Sequence, residues 1–222
     1  MPLPAVIFDM DGLLLDTEKV CLDCFVDTRR AFALPDSPDT FLDCVGLRGE
    51  KPEQIIRDSL RGAVSFEEFN REWDRRIDTA MALKIPTKLG ALKLIQVLAN
   101  KGHSLAVATS TNTDRASSQL ERSGLLMYLD CVIGGDKVER HKPDPEIFHM
   151  AAARLGFDAN DCIAFEDSET GTRAALASGA RTVQIPDLIA PSNDLKAMGH
   201  LIASNLIEGA IGVGLLTSSD TY

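Results

Sequence analysis

The chain has 222 residues, 45% of them hydrophobic and 25% charged, which is enough apolar material for one sizeable core or a core with a smaller second unit. Its 33 acidic residues outnumber 23 basic ones, and the resulting net charge of −10 argues against a general basic face for nucleic acid or anionic membrane. No apolar run reaches the roughly 18 residues of a transmembrane helix, so none is predicted.

Residues 4–8 form a short apolar run that stops at Asp9, the pattern of a buried parallel strand. The residues before it contain no basic stretch and no small-residue cleavage site, so no secretory signal is expected. The five cysteines (Cys21, Cys24, Cys44, Cys131 and Cys162) are scattered and read as reduced thiols, which predicts a cytoplasmic protein. From about residue 17 to 85 no buried strand is visible. Helical patterns fill this stretch, as at 66–81, where Phe66, Phe69, Trp73, Ile77 and Met81 recur at three- and four-residue intervals. Cys21 and Cys24 fall inside such a pattern without two further metal ligands, so packing is their expected role.

Beyond this insert, strand and helix patterns alternate. Apolar runs at 104–108, 131–134, 162–165 and 181–185 predict four more strands. Helices are predicted at 90–100, 115–123, 145–155 and 170–178, the last three followed by Gly124, Gly156 and Gly179 as stops. Alternation of this kind predicts an α/β doubly wound parallel sheet over 1–16 and 87–222, with an all-helical cap inserted at 17–86. Residues 217–222 read as a frayed tail.

Ligands of open parallel sheets sit outside the carboxyl ends of the strands, and here those ends carry Asp9, Thr109 and Glu166-Asp167. Asp9 and Asp11 can face one point if the chain leaves extended geometry, which Gly12 would allow. Two such carboxylates repel unless a cation or a shared proton intervenes, so a hard divalent ion on Asp9 with Asp11 as proton carrier is one reading. Taken alone, the cluster also suits a helix cap or a surface acidic turn.

Four segments together carry a family resemblance: Asp9-Met10-Asp11-Gly12 through Asp16-Thr17; Leu105 to Thr109; Lys142-Pro143; and Glu166-Asp167 with Gly171 soon after. In this order and spacing the chain resembles phosphatases of the haloacid-dehalogenase superfamily, close to the β-phosphoglucomutase and sugar-phosphate phosphatase group, over residues 5 to about 186. The resemblance implies that Asp9 is a nucleophile forming an aspartyl-phosphate, and that Asp11 protonates the leaving oxygen and later deprotonates water. It implies Mg²⁺ as cofactor, held by Asp9, the Asp11 backbone carbonyl and Asp167, with Glu166 beside the metal or on it. Thr109 and the Ser110 N–H would hold the phosphate, Lys142 would neutralise it, and Gly12, Ser110, Thr111 and Arg48 are candidate substrate contacts. Arg48 belongs to Gly46-Leu47-Arg48-Gly49, which resembles the substrate-touching cap loop of related sugar phosphatases.

Departures from the pattern sort the chemistry. Haloalkanoate dehalogenases of this superfamily lack the second aspartate, because a halide leaves without a proton, so Asp11 selects an oxygen leaving group. Related phosphonate hydrolases also lack it. The group's mutases place a histidine where this chain has Cys21, which favours net hydrolysis. The expected function is Mg²⁺-dependent hydrolysis of a small phosphate monoester, a sugar or sugar-alcohol phosphate, by a monomer or weak homodimer without nucleic-acid or membrane partners. A phosphomutase is the nearest rival. A non-catalytic binding protein on the same fold is the rival from another class.

Overall fold

The computed structural model describes residues 3–47, 50–83 and 85–221. In chain order the elements are β1 (Ala5–Phe8), α1 (Thr17–Ala31), α2 (Pro38–Leu42), α3 (Lys51–Ser59), α4 (Phe66–Leu83), α5 (Ala91–Asn100), β2 (Leu105–Ala108), α6 (Thr113–Ser123), β3 (Cys131–Ile133), α7 (Glu146–Leu155), β4 (Cys162–Glu166), α8 (Glu169–Ala177), β5 (Arg181–Gln184), α9 (Asn193–Lys196), β6 (Leu201–Ile202) and α10 (Leu206–Gly212). The chain divides into two compact units, Met1–Asp16 with Pro86–Tyr222, and Thr17–Ile85.

The larger unit is built on one six-stranded sheet in the order β3-β2-β1-β4-β5-β6, all pairs parallel. The four residues of β1 are fully buried, as expected of a strand covered on both faces. Their side chains alternate between two cores. Ala5 and Ile7, with Ala106, Ala108 and Ala164, pack against Phe148 and Ala151 of α7 and Ala174 and Ala175 of α8. On the other face Phe8 stacks on Phe165 with centroids 5.1 Å apart, and α10 approaches closely enough that a Cβ at Gly209 would meet Val183, Ile185 and Phe165. Alanines on the first face let α7 and α8 lie close to the strands, while the second face is filled by aromatic bulk.

The sequence pattern predicts five strands, whereas the sheet has six among the described residues. The extra strand, β6, contributes two residues at a partly exposed edge, too few to make an apolar run. The helix α10 also went unpredicted, although Asn205 caps it by accepting from the Glu208 N–H at 2.9 Å. In this strand order the chain direction of winding reverses at β1, so the crevice for a ligand opens beyond the carboxyl ends of β1 and its neighbours.

The smaller unit is helical. Helices α1 and α4 pack on each other through Phe25, Phe69 and Trp73, joined by Phe41 of α2, with ring centroids 5.2–6.4 Å apart. Trp73 donates its indole N–H to the Cys21 carbonyl at 3.0 Å. These rings therefore form a core, as the helical spacing predicts, and the cysteines beside them are not in disulfides, Cys24 buried and Cys21 half-buried.

Candidate active site

The sheet delivers Asp9 and Glu166 side by side, because β1 and β4 pair in register from Ala5↔Cys162 to Phe8↔Phe165 and the Asp9 N–H extends the ladder to the Phe165 carbonyl at 2.9 Å. Beyond Asp9 the chain turns sharply. Leu14 and Leu15 both donate to the Met10 carbonyl at 2.9 Å, and Gly12 donates to Leu15 at 2.9 Å. Gly12 has φ +84°, and a Cβ there would press on Asp167 Oδ2 at 2.5 Å and Asp187 Oδ2 at 3.2 Å. A side chain is thus excluded twice, by conformation and by the two carboxylates it would meet.

Lys142 is the hub. It is 5% exposed, and its ammonium donates to Asp9 Oδ1 at 2.6 Å, Glu166 Oε1 at 2.7 Å and the Ala108 carbonyl at 2.9 Å, which uses all three protons. The loop that presents it is pinned by Glu146, whose carboxylate accepts the Glu139 and Arg140 N–H groups at 2.9 and 3.1 Å. Glu166, fully buried, is committed as well: Oε2 accepts from the Asp167 N–H, the Ser168 N–H and the Ser168 hydroxyl, each at 3.0 Å. Gly171 in the first turn of α8 lies so near that a Cβ there would overlap the Glu166 carboxylate outright.

Thr109 follows β2, is 1% exposed, and accepts the Thr111 N–H at its hydroxyl oxygen at 3.1 Å; its own O–H proton is not spent in that bond. Ser110 is exposed beside it. Thr111 donates its hydroxyl to Asp11 Oδ2 at 2.8 Å, so its side chain acts on Asp11. Asp167 is 6% exposed, and its carbonyl accepts from Gln184 Nε2 at 3.2 Å. Arg48 lies outside the described residues. Asp187, absent from the sequence-level candidates, follows β5 and points at the same place as Asp167. The signal that could have found it is plain: the fifth apolar run also ends in an acid, past Pro186.

Charge is out of balance around Lys142. One buried cation serves two buried carboxylates. The Asp9 pKa is raised to about 8: burial is the largest cause, Lys142 pulls against it, and Glu166 and Asp11 add to the rise. Burial lowers the Lys142 pKa, yet Asp9 and Glu166 outweigh it and hold the ammonium charged. The carboxylate form of Asp9 at neutral pH therefore wants another positive charge.

A buried acid–lysine pair thus stands beyond the carboxyl ends of a parallel sheet, in the crevice where open α/β folds bind their ligands. The haloacid dehalogenase-like hydrolase family model matches residues 6–185, and the chain belongs to that family. It is an enzyme and, within the family, a phosphatase. It is 31% identical over 207 residues to the phosphorylated carbohydrates phosphatase of Thermotoga maritima, covering 92% of this chain and 94% of the relative. It is 27% identical to the fructose-1-phosphate phosphatase YqaB of Escherichia coli, covering 81% and 95%. Among solved structures it is similar to a Thermotoga maritima protein provisionally named a beta-phosphoglucomutase, with a TM-score of 0.80, 26% identity, and 97% and 100% of the two chains covered.

Proposed function

We propose that this phosphatase hydrolyses a small phosphate monoester, a phosphorylated sugar or sugar alcohol, with Mg²⁺ and through an aspartyl-phosphate on Asp9. The observation that carries the reading is the buried Asp9–Lys142–Glu166 array at the tips of β1 and β4. The sugar assignment draws on the relatives named for carbohydrate phosphates, Thermotoga's and YqaB.

A divalent cation suits the donor set. The Asp9 and Asp167 carboxylates and the Asp11 carbonyl are hard oxygen donors, the space against Asp167 Oδ2 is kept open by Gly12, and Asp9 lies short of compensating charge. Bound by these residues, Mg²⁺ would neutralise charge on the phosphoryl oxygens and draw Asp9 into its ionised form.

The chain's own groups perform the rest. Lys142 holds Asp9 in place and faces the phosphate with its charge, while Glu166 and the Ala108 carbonyl keep Lys142 from swinging away. On this arrangement Glu166 serves the lysine, not the metal, because its two oxygens already accept from four donors, the Lys142 ammonium among them. A carboxylate oxygen of Asp9 attacks phosphorus as the bond to the sugar oxygen breaks, and Asp11 gives that oxygen its proton. Asp11, now ionised, takes a proton from water; the water oxygen attacks phosphorus, the acyl-phosphate P–O bond breaks, and phosphate leaves with Asp9 restored. Thr111 aims Asp11 through these two transfers. Thr109 and the Ser110 N–H donate to the phosphoryl oxygens.

The similarity to the Thermotoga beta-phosphoglucomutase structure favours a second reading, transfer of phosphate within a hexose phosphate. Cys21 in place of the mutases' histidine favours hydrolysis. Five cysteines outside any disulfide suit a reducing compartment, the cytoplasm, and among the described residues no helix is long and apolar enough to cross a membrane. The test is phosphate release from a panel of phosphorylated metabolites with Mg²⁺ and with a chelator, beside a hexose 1-phosphate supplied with its bisphosphate. Free phosphate from sugar phosphates supports hydrolysis; isomerised sugar phosphate without free phosphate favours the mutase. No turnover of any phosphoester overturns both.

A further inference from the structure

The end of β5 carries an acid that the mechanism above leaves unused. Asp187 lies three residues past Gln184, the last residue of that strand, and its side chain is 9% exposed. One carboxylate oxygen, Oδ1, is paired with the ammonium of Lys88, which also reaches Asp16 Oδ1 at 3.2 Å. The other oxygen, Oδ2, is buried and has no hydrogen-bond partner. A buried acceptor left unmatched costs about 1–3 kcal/mol, more when charged, so this oxygen calls for a partner such as a water or an ion.

The direction of that orphaned oxygen is what gives it meaning. A carboxylate oxygen of Asp187 lies within 4.8 Å of one on Asp167. The two Oδ2 atoms also converge on the same side of Gly12, at 3.2 and 2.5 Å from where a Cβ would stand. Two carboxylates aimed at one buried spot repel unless something positive lies between them. Lys88 does not supply it, because its ammonium sits on the far oxygen and is shared with Asp16. What it does supply is anchorage. With Oδ1 held, the carboxylate cannot rotate its free oxygen away from Asp167.

We infer that Asp187 is a further residue of the divalent-cation site: Oδ2 accepts a hydrogen bond from a water coordinated to the ion that Asp167 holds, and Lys88 fixes the carboxylate for that task. Magnesium keeps several of its waters when bound, so an acceptor-only oxygen beside a metal-ligating aspartate has a ready partner. This inference rests on the reading that a divalent cation binds at Asp9 and Asp167. Asp187 is a positioning residue in it and touches no reacting atom.

The test uses Mn²⁺ as probe, counted by the loss of its free electron-paramagnetic-resonance signal on titration with the full chain, without substrate. Asp187→Asn keeps the side chain's shape and removes the charge. The expected result is a Kd for Mn²⁺ raised tenfold or more, in the range of about 10–100-fold seen when partners of metal ligands are removed. The melting temperature of the chelated protein should hold, while the rise in melting temperature on adding Mg²⁺ shrinks. Asp16→Asn is the control for a general field effect, since it removes an equal charge from the same lysine; its Kd should change less than threefold. A change under tenfold for Asp187→Asn, or an equal loss in both variants, overturns the inference and leaves the cation site itself standing. Wild-type protein that binds no Mn²⁺ overturns the inference together with the metal reading beneath it.

Discussion

Gly171 sits in the first turn of α8, where helix propensity alone says that alanine should stabilise the protein by about 1 kcal/mol. The site predicts the opposite sign. An alanine Cβ would occupy the volume of the Glu166 carboxylate, which is fully buried and cannot move toward water. Displacing it breaks the ion pair with Lys142 and the three bonds from Asp167 and Ser168. Disrupting a buried ion pair on one side costs about 3–5 kcal/mol. Set against the propensity gain, the net loss for Gly171→Ala is about 2–4 kcal/mol. For a chain of this length that is a fall in melting temperature of roughly 4–16 °C. Turnover should fall about a hundredfold, because Lys142 loses one of the two carboxylates that hold it on Asp9. Circular-dichroism melts with steady-state phosphate release measure both. A double-mutant cycle with Glu166→Ala isolates the cause: once Glu166 is truncated, the alanine at 171 has nothing to strike, so the second substitution should cost little. A stable Gly171→Ala protein, or costs that add to within about 0.5 kcal/mol, would refute the reasoning.

Four further outcomes are expected. Asp9→Asn should lower kcat by more than about 10⁴-fold, read by single-turnover phosphate release, while the fold persists. The same variant should flatten the pH dependence of stability in metal-free protein. Asp9 titrates at about 8 when folded against 3.8 as a free side chain, so the native state binds more protons between those values and wild-type stability falls as pH rises through that window. Melts from pH 4 to 8 in chelator check it, and parallel curves for the two proteins would count against the buried-charge account. Thr111→Val removes the hydroxyl that Asp11 Oδ2 accepts and should lower kcat about 10–100-fold with KM unchanged, with Thr111→Ser restoring it; a shift confined to KM would move Thr111 to substrate binding. In the helical unit, Phe25→Ala empties a fully buried site ringed by Phe41, Phe69 and Trp73 and should cost about 3–5 kcal/mol by urea unfolding. A cost below 1 kcal/mol would mean that this core collapses to fill the gap.

The amino-acid sequence by itself determined where β1, β2 and β4 stop to within a residue, because apolar runs of four or five residues ending in Asp9, Thr109 and Glu166-Asp167 follow from burial on both faces of a parallel sheet. It also determined that the insert between residues 17 and 85 is helical, since Phe69, Trp73 and their neighbours recur at the helix period and nowhere alternate. These are local signals, readable from a dozen residues at a time. The tertiary structure decided what depends on pairs far apart in the chain. That Glu166 serves Lys142, 24 residues away, is visible only once β4 and the loop before α7 are packed. The lack of a side chain at Gly171 gains its reason only from the carboxylate folded against it, and the aim of Thr111 at Asp11 only from a contact spanning 100 residues. Asp187 also follows a strand, yet its importance depends on β5 lying beside β4 and on a contact with Lys88, 99 residues away in the chain. Strand order and side-chain aim are non-local, and periodicity carries no information about either.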